Sequence, residues 1–146
     1  MQQKDYAVLL DDAKDKAYKT LILVEASVRK LTPYESNKAY SPDELEPYDA
    51  LSDRFIRCVE TFIKFFKTYD IYQSVTKSDT YRDLLNLMAK LELVTTTTLW
   101  INMRDVRNKI VHDYLPDQTR DLFDSIMGEF YRELKYSKKQ IDKLRY

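Results

Sequence analysis

Apolar residues recur at three- and four-residue spacing along most of the chain and divide it into five amphipathic segments. Leu10, Ala17, Val24 and Leu31 repeat every seven residues, with Leu21 and Val28 in the same stripe and Asp12, Lys16 and Lys19 elsewhere. That spacing predicts a long helix from about Tyr6 to Leu31. Thr32-Pro33 ends it, because proline disfavours helical backbone in the residue before it. After a polar connection, Ser41-Pro42-Asp43-Glu44 is a start signal: a serine cap, a proline in the first turn and a glutamate placed to close a capping box. Pro47 then either restarts the helix or bends its first turns. From Tyr48 to about Tyr72, Phe55, Val59, Phe62 and Phe66 form one stripe.

Ser78 is the expected cap of a third helix, about Asp79 to Leu91, which is apolar over a wide arc. Thr95 to Thr98 reads as link and cap into a fourth helix that runs to about Asp113 and stops before Pro116. The fifth spans about Asp117 to Leu144, with Phe123, Met127, Phe130, Leu134 and Ile141 on its stripe. Gly128 lies inside it at a cost of about 1 kcal/mol against alanine, and either admits a neighbouring helix or is simply tolerated. The expectation is an all-α, up-and-down bundle of about five helices, one domain over residues 1–146.

Composition narrows this further. A single glycine and four prolines leave little material for the turns of an all-β fold. The formal net charge is zero, so no global field draws the chain to nucleic acid or membrane, and any such contact would be local. The segment Arg132–Arg145 is basic and Asp43–Glu60 leans acidic, a segregation that serves either internal pairing or a partner surface. One cysteine, Cys58, excludes an internal disulfide and suits a small core position in a reducing compartment. The early charges Lys4, Asp5, Asp11 and Asp12 leave no signal-peptide core, and no apolar run approaches the ~20 residues of a membrane helix. A cytoplasmic protein is expected.

The residue inventory also restricts the chemistry. One histidine and one cysteine cannot build a Cys/His zinc site, and there is no glycine-rich phosphate loop and no nucleophile motif around any serine. No metal or cofactor is expected; arginine and histidine chemistry remains. Both residues meet in the fourth helix. On a helical wheel Leu99, Met103, Val106 and Ile110 group together, Trp100 and Val111 extend the arc, and Arg107 falls inside it. An arginine in an apolar arc must either pair with a carboxylate of another helix or take an external anion, since it cannot shed its charge. Arg104, Asn108 and His112 follow one another at four-residue steps and form a row beside it. His112, at the helix C-terminus, is suited to general acid–base work on a phosphodiester.

Arg107-Asn108-Lys109-Ile110-Val111-His112 resembles the RNxxxH form of the Rx4-6H motif of the HEPN superfamily, and Asp113-Tyr114 extends it to the HxY ending of HepT-like toxins. The five-helix layout is similar as well. The resemblance implies a metal-independent endoribonuclease working as a homodimer, with two motif helices meeting across a two-fold axis. Arg107 would stabilise charge on the phosphoryl oxygens, His112 would act as general acid or base, and Asn108 and Arg104 would support them. The 2′-hydroxyl of RNA would attack the adjacent phosphorus and leave a 2′,3′-cyclic phosphate. It also implies a partner, an MNT-type nucleotidyltransferase antitoxin that adenylylates Tyr114. The alternative within the same family is a non-catalytic HEPN module that binds nucleotide or RNA and serves a nucleotidyltransferase.

Overall fold

The computed structural model describes residues 3–74, 77–110 and 115–146, and among them every regular element is helical. α1 (Gln3–Lys30) and α2 (Pro42–Ser74) form a long antiparallel pair. α3 (Tyr81–Lys90) and α4 (Thr97–Ile110) are shorter and pack on each other and on α2. The last rod is continuous: α5 (Pro116–Ser125), a π-helical turn (Ile126–Phe130) and α6 (Tyr131–Asp142). The five predicted segments are therefore the five rods of a helical bundle.

α2 is the central element, touching α1, α3 and α4. Phe55, Cys58, Phe62, Phe65 and Phe66 on α2 are fully buried, with Leu10, Ala17 and Val24 of α1 closing one side and Trp100 and Met103 of α4 another. Cys58 is the small core residue expected of it, and burial pushes its thiol up to about 12.

The capping box at the start of α2 forms as predicted. The Ser41 hydroxyl accepts from the Glu44 N–H at 3.2 Å, and the Glu44 carboxylate accepts from the Ser41 N–H at 3.1 Å. A hydrogen bond from the Lys38 ammonium, with these Ser41 contacts, holds the Glu44 carboxyl down at about 2. The helix runs on through Pro47 without restarting. The α1–α2 connection is held by aromatic rings: Tyr34 stacks on Tyr40 at 4.6 Å, and the Tyr48 hydroxyl donates to the Thr32 carbonyl at 2.7 Å.

One predicted cap moves. The N-cap of α3 is Thr80, whose hydroxyl accepts from the Asp83 N–H at 3.0 Å, and not Ser78. The Ser78 N–H instead donates to the buried Asp70 carboxylate at 2.8 Å, which ties that residue to α2. Thr96 does cap α4, accepting from the Leu99 N–H at 3.1 Å.

Gly128 lies in the π turn, and a Cβ built there would meet only the flexible end of Arg132 at 3.6 Å. Among the described residues no neighbouring helix depends on its small size. Gly128→Ala is expected to stabilise the fold by about 0.4–1 kcal/mol, by reducing the freedom of the unfolded chain. A rise of a few degrees in the thermal midpoint would show it; a fall would mean that the π turn needs glycine.

Candidate functional site

α4 is set in place by its first half. The Trp100 indole is fully buried, meets Phe66 edge-on at 5.2 Å and donates through Nε1 to Glu133 at 2.7 Å. Glu133, on α6, is itself buried; its carboxylate also accepts from the Thr95 N–H at 2.8 Å and the Thr95 hydroxyl at 2.7 Å. Three donors compensate a carboxylate that burial would otherwise penalise. Met103 and Val106 complete the buried face of the helix.

Beyond Val106 the helix outruns the core. Arg107 has the angular position the wheel gives it, but its side chain is 70% exposed, and Ile110 on the same side is also exposed. The expectation of an arginine within the apolar arc is therefore corrected: the arc continues past the edge of the bundle, and Arg107 sits on the projecting part. Its Nη1 donates to Oε1 of Glu60 on α2 at 2.8 Å. Of the two partners the sequence allowed, a carboxylate of another helix is the one observed. Because both groups are more than half exposed, the pair is worth about 0–1 kcal/mol.

Asn108 is exposed and gives its amide to Asp105 one turn back, at 3.2 Å. The Arg104 guanidinium lies over the ring of Tyr81 on α3, 4.1 Å from its centroid. Burial pushes the Tyr81 hydroxyl up to about 12 against the pull of the Arg104 charge. Arg104, Arg107 and Asn108 are thus brought to one side of the molecule. His112 and Tyr114 lie outside the described residues.

Between α2 and α4 runs a groove of about 860 Å³. Ile56, Val59 and Ile63 of α2 and Met103 of α4 contribute its apolar lining. Lys64 and Lys67 stand along α2, Arg104 and Arg107 along α4, with Glu60 and Asp105 the anionic residues among them. Four cations thus face two anions in a concave site, which concentrates positive potential there although the chain as a whole is neutral. Among the described residues neither lysine has an ion pair, and no cluster of three or more His, Cys, Asp or Glu is placed to hold a metal ion. Sequence reasoning missed Glu60, Lys64 and Lys67. Their four- and three-residue spacing marks one edge of α2, but only the position of α4 shows that the edge borders a groove.

The fold and the site are thus those of a helical bundle with a cation-rich groove between two of its rods. Residues 18–143 match the family described as nucleotidyltransferase substrate binding protein like, and the chain belongs to it. Comparison with curated proteins and with solved structures finds no match. The family's name ties the chain to nucleotidyltransferases. No described helix is long and apolar enough to cross a membrane.

Proposed function

We propose that this chain is a HepT-like, metal-independent endoribonuclease that acts as a homodimer and is neutralised by a cognate nucleotidyltransferase. The observation that carries the reading is Arg107: the first residue of the RNxxxH motif stands exposed at a cation-rich groove, held among the described residues by one exposed carboxylate. A phosphate can compete with Glu60 for that guanidinium, because bidentate arginine–phosphate contact is strong and an exposed ion pair is weak.

In the reaction the 2′-oxygen bonds to the adjacent phosphorus while the bond to the 5′-oxygen breaks. One proton leaves the 2′-hydroxyl and one reaches the 5′-oxygen, giving a 2′,3′-cyclic phosphate and a 5′-hydroxyl. His112 serves one of these transfers. Arg107 stabilises the charge that builds on the phosphoryl oxygens, and Arg104 and Asn108 flank it. The required 2′-hydroxyl selects RNA over DNA. Adenylylation of Tyr114 by the nucleotidyltransferase would add negative charge and bulk beside the motif and repel incoming phosphates.

Purified protein incubated with RNA in EDTA should release fragments with cyclic phosphate ends. Cutting that requires added metal, or cutting with other ends, would reject the mechanism. The name of the matched family favours a second reading, a binding module that presents substrate to a nucleotidyltransferase. In that case RNA or nucleotide is retained uncut, and expressing the chain does not arrest bacterial growth. The ribonuclease reading expects arrest with the native chain and none with His112→Ala.

A further inference from the structure

The face of α1 turned away from the core carries a second regular pattern that the bundle leaves uncovered. Val8, Leu9, Ile22 and Leu23 are 69%, 44%, 62% and 41% exposed. At about 100° per residue they share one face of the helix with Asp12, Asp15, Lys16 and Lys19, which lie between the two apolar pairs. Within the chain these charges form the pairs Asp12–Lys16 and Asp15–Lys19, each at 3.0 Å and largely solvated. Val8, Asp12, Asp15, Lys19 and Ile22 follow the alternating four- and three-residue spacing of a helix-packing seam.

The order along this face has a symmetry of its own. Reversal about the point between Asp15 and Lys16 carries Val8 onto Leu23, Leu9 onto Ile22, Asp12 onto Lys19 and Asp15 onto Lys16. Apolar falls on apolar and acid falls on base. A two-fold contact between identical helices running in opposite directions requires that relation, because each patch must complement itself in reverse.

We propose that the outer face of α1 binds the same face of a second copy of this chain, antiparallel, about a two-fold axis at residues 15 and 16. Asp12 of one copy then faces Lys19 of the other. Asp15 and Lys16 lie within one turn of the opposite charges Lys19 and Asp12 of the second copy. Val8 and Leu9 cover Ile22 and Leu23 of the second copy at both ends. A parallel arrangement would set acids on acids and lysines on lysines, so charge selects the direction. The apolar pairs are about 21 Å apart along the helix, so the contact is smaller than the ~1,600 Å² of a standard stable interface. It is a concentration-dependent association. It lies on α1, away from the α2–α4 groove, and is independent of whether that groove cuts RNA.

Sedimentation equilibrium at low ionic strength over a wide range of protein concentration tests it. The native chain should gain mass with concentration, and salt should suppress the gain. Asp12→Lys with Asp15→Lys makes the strip all cationic, and Lys16→Asp with Lys19→Asp makes it all anionic. Each double variant should lose this step of association while keeping native circular dichroism, and an equimolar mixture of the two should regain it. Native mass that stays constant with concentration overturns the proposal, whatever else binds that face. So do double variants that associate as the native chain does, or a mixture that fails to recover.

Discussion

Arg107→Ala is expected to lower RNA cleavage by about 10²–10³-fold, the usual loss when one donor to a developing oxyanion is removed. Stability should be almost untouched. The side chain is 70% exposed, and its ion pair with Glu60 is worth no more than about 1 kcal/mol. Single-turnover cleavage in EDTA beside a thermal melt separates the two quantities. Arg107→Lys should keep the charge but lose the bidentate fork, and should recover only part of the rate. Glu60→Gln works in the opposite sense: it frees the guanidinium from its competing anion. Cleavage at subsaturating RNA should rise by up to about fivefold, the equivalent of about 1 kcal/mol. An Arg107→Ala chain that cuts RNA at the native rate would end the ribonuclease reading.

The largest stability effect is expected at Trp100. Trp100→Ala removes a fully buried indole and should cost about 3–5 kcal/mol, a large fraction of the ~5–15 kcal/mol that holds a domain of this size together. It also takes one of three donors from the buried Glu133 carboxylate. Trp100→Phe is a milder change, keeping a six-membered ring against Phe66 while losing the N–H and the volume of the fused five-membered ring. Its cost should be at least about 1–3 kcal/mol, the range for leaving a buried polar group short of a partner, and less than that of Trp100→Ala. Urea unfolding of both variants measures the difference. Equal stabilities for Trp100→Phe and the native chain would mean that the bond to Glu133 contributes nothing net.

The stripes that packed the bundle were legible because each is local: Leu10–Ala17–Val24 and Phe55–Val59–Phe62–Phe66 need only helical periodicity to be recognised, and all are buried. The Ser41–Glu44 box was legible for the same reason, both partners lying within one turn. The cap of α3 was misread because Ser78 and Thr80 are both good caps. The choice between them is made by Asp70, eight residues from Ser78. Arg107 shows another limit. A helical wheel has an angle but no axial coordinate, so it located the correct sector without showing that the core stops at Val106. Glu133 carried a faint signal. It is an acid beside the Phe130–Leu134 stripe in a basic segment, and a buried tryptophan N–H elsewhere in the chain needs an acceptor. The π turn has no evident signature in the residues that form it.

The carboxylate that fixes α4 is made late. Trp100 leaves the ribosome 33 residues ahead of Glu133, and Ser137 and Tyr136, which fasten the carbonyls of Leu93 and Glu92, come later still. During translation α1 and α2 can pair as soon as both have emerged, whereas the bond from Trp100 to Glu133 can form only after the last rod has followed. The anchor of the groove's α4 wall is thus among the last contacts that the chain can complete as it is made.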